Sequence, residues 1–289
     1  EFVNNHSAGL FEHKTAFINF LSKNGRKNDS IFIIEDNKII GVLPLLKEKF
    51  SIFSRHTSNG LLLKTNKEKE IFLKLKQYLK SVYIRINSIH KINNKNSRAH
   101  TFLLNIQNKK IEEIWKEDLN KKSRNLIRKS EKYKLKIKIS NSKKELEKLY
   151  PLYLEKMKEY KTTPYSLESL LQLLKNKEYY IFNVYLNNKI IAGGTMIKNK
   201  NSITSHLAAS KKEYLKYSPN NFLYYSLIKY AIQNKLDNVN YGPSPEGSKV
   251  AKFKLSMGGK PISFEKHIIL NKFLYKIIIT VAKLLKKIK

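Results

Sequence analysis

The apolar and polar positions along the chain predict alternating helices and strands. Residues 8–22 (AGLFEHKTAFINFLS) place apolar side chains at helical spacing, and the chain turns at Gly25. Residues 30–46 (SIFIIEDNKIIGVLPLL) carry two β-branched apolar runs on either side of Asp36, Asn37 and Lys38, the pattern of a hairpin closed by a tight turn. A short strand at 61–63, a helix over 67–80, a strand over 81–86, a polar loop at 93–98 and a strand over 101–106 follow.

Residues 111–133 (IEEIWKEDLNKKSRNLIRKSEKY) read as one helix. Leu119, Ser123, Leu126, Ile127 and Ser130 face inward, while Lys121, Lys122, Arg124, Arg128 and Lys129 form a cationic ridge. A strand over 135–139 leads to residues 142–160, whose alternating acids and bases suit an ordinary solvated helix, and then to a helix over 166–174. A second hairpin spans 179–198 (YYIFNVYLNNKIIAGGTMIK). The strand over 202–209 sets His206 on one face with Thr204 and Ala208, and a lone strand histidine is more often structural than catalytic. After the loop 210–221, Pro219 and Asn220 suit a helix start, and Phe222, Leu223, Leu227, Ile228, Ala231 and Ile232 recur at helical spacing. A strand at 239–241 then enters a loop that Gly242, Pro243, Pro245 and Gly247 keep irregular. That loop delivers a basic segment, 249–254, ending at Gly258 and Gly259, and a strand over 263–269 follows.

The two hairpins align with Asn37-Lys38-Ile39-Ile40 on Asn188-Lys189-Ile190-Ile191, an offset of 151 residues. Helical sequence precedes each, so a duplicated α/β unit is the economical explanation.

Composition sharpens the picture. Fifty-seven Lys and Arg against 23 Asp and Glu give a net charge of +34 in 289 residues. Abundant Lys, Asn and Ile fit an AT-rich coding bias, but such bias does not remove acids, so their deficit points to a polyanion such as RNA, a nucleotide diphosphate or anionic lipid. With 41% hydrophobic residues, 14 Phe and 17 Tyr, the chain can bury a real core. The absence of Cys excludes disulfides, a thiol nucleophile and a thiolate zinc site, and the seven His show no metal-ligand spacing, so no metal site is expected. No apolar run reaches the roughly 18 residues of a membrane span, and no signal peptide is legible, so the expected compartment is the cytoplasm. Residues 272–289 (KFLYKIIITVAKLLKKIK) form a basic amphipathic helix suited to an anionic membrane interface, which would place the protein peripherally at the inner membrane face, or to docking on the protein's own core.

Four stretches in order carry a family resemblance. They are Trp115 with the basic run 119–137 (LNKKSRNLIRKSEKYKLKI), the hairpin 185–197 (YLNNKIIAGGTMI), residues 206–231 (HLAASKKEYLKYSPNNFLYYSLIKYA), and the terminal 241–261 (YGPSPEGSKVAKFKLSMGGKP). Their order and spacing resemble the FemAB-like transferases, a branch of the GNAT acyltransferase superfamily with two GNAT-like units in tandem. The resemblance implies a mixed α/β fold of two such units, expected at residues 1–108 and 109–271, with 272–289 as the terminal helix.

It also implies amide-bond formation, in which an aminoacyl or acyl group passes from an activated donor to an amine of an anionic cell-wall or surface-glycan precursor. The donor would be aminoacyl-tRNA or an acyl thioester such as acyl-CoA, with no tightly bound cofactor. By the same resemblance Lys254 is the leading catalytic candidate, and Glu246, the only acid in the terminal loop, is the candidate base. Arg124, Arg128, Asn221, Tyr241, Ser244 and Lys252 are the candidate donor- or substrate-binding residues; a guanidinium suits bidentate phosphate binding. One departure stands out. Acyl-CoA-binding GNAT enzymes set a Gly-rich loop before the helix that receives the pyrophosphate, but residues 211–222 (KKEYLKYSPNNF) contain no glycine. The alternatives are an N-acyltransferase using acyl-CoA or acyl carrier protein, and a non-catalytic RNA-binding protein on the same fold.

Overall fold

A computed structural model describes residue 3 and residues 13–48, 55–58, 61–65, 67–78, 83–88 and 98–270. The chain divides into two compact units, residues 1–99 with 263–289, and residues 100–262. The expected boundary at 108/109 therefore falls nearer 99/100. The cause is the strand Arg98–Asn105, whose Asn105, Leu104 and Leu103 pair with Asn238, Val239 and Asn240 of the second unit.

In the first unit, helix α1 (Thr15–Lys23) buries Phe17, Ile18, Phe20 and Leu21. Strands β1 (Arg26–Asn28), β2 (Ile31–Glu35), β3 (Lys38–Leu43), β4 (Leu46–Glu48), β5 (Arg55–Ser58) and β6 (Leu62–Leu63) follow, then helix α2 (Glu68–Tyr78) and strand β7 (Tyr83–Ser88). Strands β2, β3 and β6 form one antiparallel sheet over a core of Leu43, Leu45, Leu61, Leu63, Ile71 and Leu75. β5 pairs in parallel with β7, which also pairs antiparallel with residues 265–270.

The second unit begins with β8 (Arg98–Asn105) and continues through α3 (Lys121–Lys132), β9 (Lys136–Ser140), α4 (Lys143–Glu159) and α5 (Leu167–Leu174). Then come β10 (Tyr179–Leu186), β11 (Lys189–Lys198), β12 (Ser202–Ser210), α6 (Pro219–Gln233), β13 (Asn238–Pro243) and α7 (Lys249–Ser256), and the following strand, β14 (Lys260–Leu270), belongs from Ser263 on to the first unit. Its strand order is β8-β13-β12-β11-β10-β9, with the β12–β13 pair parallel and the other pairs antiparallel. The core gathers Phe182, Val184, Ile191, Met196, Ile203 and Leu223.

The 151-residue offset runs well beyond the hairpin. Asp36 and Asn37 turn the first hairpin with φ of +48° and +59°, and Asn187 and Asn188 turn the second with +47° and +64°. Both are the left-handed pair that a two-residue hairpin loop needs to match strand twist. The register slips between Ile33 and Ile34 in one and between Val184 and Tyr185 in the other, again 151 apart. α1 and α5 end 151 residues apart, α2 and α6 begin 151 apart, and each later helix lies between strands that pair in parallel.

Local chemistry redraws some expected elements. The helix expected over 111–133 breaks: a π-helical turn at Ile114–Asp118 ends in extended Leu119, and the Asn120 side chain accepts from the Ser123 amide to start α3 afresh. The inward residues are those expected, with Leu119, Ser123, Ile127 and Ser130 buried and Leu126 half-buried. The loop 210–221 holds a 3-10 turn, Lys212–Tyr217. α4 is less ordinary than its charge pattern, because Glu145 is 1% exposed. Residues 272–289 lie outside the described residues, as do 1–2 and 4–12. Among the described residues, no helix is long and apolar enough to cross a membrane.

Candidate functional site

β12 and β13 hydrogen-bond in parallel only from Ser202 to Thr204, against Asn238 to Asn240. Beyond that point β12 stays paired to β11 and β13 to β8, so residues 205–210 and 241–243 diverge and the second unit's sheet opens between them. Gly242, with φ of +76°, turns the backbone here, and a Cβ on it would lie 3.4 Å from the Ser205 carbonyl oxygen and 3.9 Å from Lys254 Nζ.

Lys254 closes one side of this opening. The segment expected as a loop of lysines is helix α7, begun when the Ser248 hydroxyl accepts from the Ala251 amide. Helical spacing turns Lys252 out to solvent and Lys254 inward, where it is 5% exposed. Its ammonium donates to the carbonyl oxygens of Gly242 at 2.9 Å and Pro243 at 3.0 Å, and sits 5.7 Å from the Phe102 ring centroid. Burial strips the amine of hydration and lowers its pKa to about 8.

Asn221 and Tyr241 meet at the other end of α7. The buried Tyr241 hydroxyl donates to the Met257 carbonyl at 2.8 Å, and Asn221 Nδ2 lies 3.5 Å from Met257 Sδ. Both polar groups brace α7. The Gly-Gly that ends this motif has a steric cause: a Cβ at Gly259 would meet the Tyr241 ring at 2.7 Å, and one at Gly258, whose φ is +85°, would meet Asp118 Cβ at 3.0 Å. Tyr224 from α6 stacks edge-on to Tyr241 and Phe253, and its hydroxyl lies 3.2 Å from Ser205 Oγ.

Ser244 and Glu246 lie on the loop before α7. Ser244 Oγ donates to the Pro243 carbonyl at 2.8 Å, and Glu246 is exposed. The two arginines part company. Arg124 is half-buried, and its Nη1 donates to the carbonyls of Leu119 at 2.6 Å, Lys116 at 3.1 Å and Trp115 at 3.3 Å. That nitrogen satisfies the π-helical turn, so the free bidentate fork expected of Arg124 is not what the fold presents. Arg128 is exposed, with its guanidinium 5.2 Å from the Trp115 ring centroid.

The sequence understated His206. Thr195 pairs with Leu207 and Met196 with Ser205, which leaves His206 as the extra residue of a β-bulge, a device that re-aims a side chain. Its ring packs on Tyr165 and edge-on to Tyr179, and Nδ1 lies 2.9 Å from the Tyr179 hydroxyl, which donates to Thr195 Oγ1 at 2.9 Å. Desolvation lowers its pKa to about 4, so the imidazole is neutral at pH 7. Regular polar alternation along 202–209 conceals the bulge. Beside this cluster, Leu146, Leu149, Tyr153, Gly193, Gly194 and Ala208 are among the residues around a small apolar recess of about 10 Å³.

Comparison with known proteins places this geometry. Residues 117–255 match the acetyltransferase (GNAT) domain family. No curated protein sequence matches the chain. Among solved structures, FemX aligns with a TM-score of 0.72 at 14% identity, covering 96% of each chain. The C-terminal domain of a protein assigned as a lysylphosphatidylglycerol synthetase from Agrobacterium fabrum aligns at 0.65 and 9% identity, over 91% of this chain and 90% of that one. A tandem GNAT protein from the clavulanic acid biosynthesis pathway, in a structure without AcCoA, aligns at 0.55 and 6% identity, over 84% and 82%. The class defined by residues 117–255 is therefore a GNAT acetyltransferase domain, and the chain as a whole has a mixed α/β fold similar to those of FemX and the tandem GNAT protein. The likeness to the FemX fold over 96% of the chain agrees with the FemAB-like resemblance of the four stretches.

Proposed function

We propose that the protein passes an aminoacyl group from aminoacyl-tRNA to an amine of an anionic cell-wall or surface-glycan precursor. The observation that carries this reading is Lys254: a buried cation beside the open edge between β12 and β13, where a donor carbonyl can lie along strand backbone. A fixed positive charge in a site of low polarity stabilises a developing oxyanion or a donor phosphate more than water does. The acceptor amine attacks the carbonyl carbon, the ester bond to the ribose oxygen breaks, and the amine's proton passes, directly or through water, to the departing ribose oxygen, which leaves as a hydroxyl. Arg128 and Lys252, both exposed, are the phosphate contacts in this scheme, Asn221 and Tyr241 hold α7 in place, and Ser244 and Glu246 border the acceptor path.

A second reading, acyl-CoA or acyl carrier protein as donor, draws on the acetyltransferase family match. Against it stands the turn before α6, where a glycine-free 3-10 helix ends at Ser218, which enters α6 with φ of +57° and no side-chain cap. A third, RNA binding without catalysis, draws on the charge of +34. We place residues 272–289 on an anionic membrane at the inner face; deleting them should abolish co-sedimentation with anionic liposomes while leaving the fold intact.

The deciding experiment offers charged tRNA and acyl-CoA side by side with an amine-bearing wall precursor. Consumption of aminoacyl-tRNA with amide product supports the reading. Consumption of acyl-CoA alone overturns it in favour of the second.

A further inference from the structure

One face of the second unit is built from α3, α6 and the 3-10 turn, which pack against one another. Here cations sit on aromatic rings in four places. Arg128 lies 5.2 Å from the centroid of Trp115, Lys229 4.5 Å from Tyr225, Lys216 5.3 Å from Tyr217, and Lys189 5.3 Å from Tyr214. The rings themselves are linked: Trp115 to Tyr225 at 5.3 Å, Tyr133 to Tyr217 at 4.7 Å, and Tyr217 to Tyr214 at 6.1 Å. Along the same face α3 exposes Lys121, Lys122, Lys129 and Lys132 over about 18 Å of helix. The acids interrupting it are Glu131 and Glu213, with Glu112 close to Tyr225. Ion pairs of lysine with glutamate lie mainly on α4, Lys143 with Glu147 and Lys156 with Glu159, and one reaches the edge of this face, Lys212 to Glu159 at 3.8 Å.

A line of cations with interleaved ring faces is what an unpaired nucleic-acid strand requires, since phosphates need charge along a track and every base has a face that stacks. A bilayer would need a cluster of aliphatic side chains to insert, whereas the 3-10 turn exposes Leu215 alone, at 48%, and Tyr133, 45% exposed, packs edge-on against Tyr217. We propose that this face binds a single-stranded segment of RNA, with its phosphates along the α3 lysines and its bases on Tyr133 and the rings beside it. The inference rests on the aminoacyl-tRNA reading of the donor and assigns where the RNA lies: on α3 and the 3-10 turn that runs into α6.

The test is fluorescence anisotropy with a labelled single-stranded 12-nucleotide oligoadenylate, titrated over salt, using the intact chain. Each phosphate of a single strand that the protein no longer neutralises reduces the slope of log affinity against log salt by about 0.7, so Lys122→Glu with Lys129→Glu should reduce it by about 1.4. Tyr133→Ala should weaken binding roughly 5- to 150-fold through lost stacking. Lys144→Glu with Lys175→Glu, exposed on and after other helices, should do neither. Equal losses in the ridge and control pairs would overturn the assignment, as would binding of phosphatidylglycerol vesicles without binding of RNA. A chain that binds RNA through this face yet consumes only acyl-CoA keeps the surface and ends the donor reading. One that uses aminoacyl-tRNA but ignores the ridge and Tyr133 substitutions does the reverse.

Discussion

The Lys254 ammonium reaches the Gly242 carbonyl oxygen at 2.9 Å, so a buried cation ties α7 to the point where β13 parts from β12. Two of its donors are spent on carbonyls, and the charge remains beside the opening. Lys254→Ala should lower turnover or donor affinity by roughly 10- to 150-fold, the equivalent of a charge-assisted hydrogen bond of about 1.5 to 3 kcal/mol. Arg128→Ala should act in the same direction, while Lys144→Ala, at an exposed position of α4, should leave kcat/KM within about twofold. Equal effects at all three would mean that the charges act only collectively.

The same lysine makes a pH prediction. Its folded pKa, about 8, lies below the ordinary 10.5, so between these values the native state has shed a proton that the unfolded state keeps. Stability from this group therefore rises as pH climbs from about 8 to 10.5 and is penalised below 8. Allowing for solvent screening, the gain is about 2 kcal/mol. Urea unfolding of wild type and Lys254→Met at pH 7 and pH 9.5 reads it as a difference. Transfer should fall over the same rise in pH, because the neutral amine no longer supports a developing negative charge. Parallel stability profiles for the two proteins would sink this account.

Arg124 is predicted to matter for folding. Its Nη1 serves three carbonyls of the turn that separates Trp115 from α3. Arg124→Ala should cost about 1.5 to 3 kcal/mol, and Arg124→Lys should recover part of it, because the three carbonyls are served by one nitrogen and an ammonium also carries three donors. Thermal unfolding compared with Arg128→Ala decides: a stable Arg124→Ala with impaired donor binding would return Arg124 to the ligand.

What was legible in the sequence was whatever local chemistry decides. Asn37-Lys38 and Asn188-Lys189 announced two hairpins because a left-handed two-residue turn favours asparagine, and their spacing exposed the duplication that α1, α2, α5 and α6 extend. Phe253-Lys254 was legible as a site element, but its inward aim was not, since that depends on Ser248 starting a helix rather than a loop. The break after Trp115 was hidden because Leu119 and Asn120 sit within an unbroken helical pattern, which records neither the Ser123 amide on the Asn120 side chain nor Arg124 on the carbonyls before it. His206 was hidden for a related reason: a bulge is a mismatch between two strands, and neither strand records it alone.

Glu145 tests how far α4 departs from an ordinary solvated helix. Burial alone would raise its pKa, but hydrogen bonds from Tyr185, Asn183, Lys138 and Lys148 outweigh that and hold it at about 2. The Lys138 and Lys148 ammonium groups lie 2.9 and 3.1 Å from one oxygen, and Asn183 Nδ2 lies 2.9 Å from the other while also donating to the Glu145 carbonyl at 2.9 Å. The carboxylate thus ties α4 to β9 and β10. Because the folded pKa lies below the ordinary 4.5, the stability it contributes is fully present above about 4.5 and is lost as pH falls toward 2. The half-exposed lysines are screened by solvent, which brings the expected contribution to about 2 kcal/mol. Glu145→Gln keeps the shape but discards the charge, so it should lower stability at pH 7 and flatten the acid limb between pH 4.5 and pH 3. Denaturant unfolding at pH 7, 4.5 and 3 measures both effects, and a variant whose deficit stayed constant down to pH 3 would show that the carboxylate's ionisation is not what holds the helix.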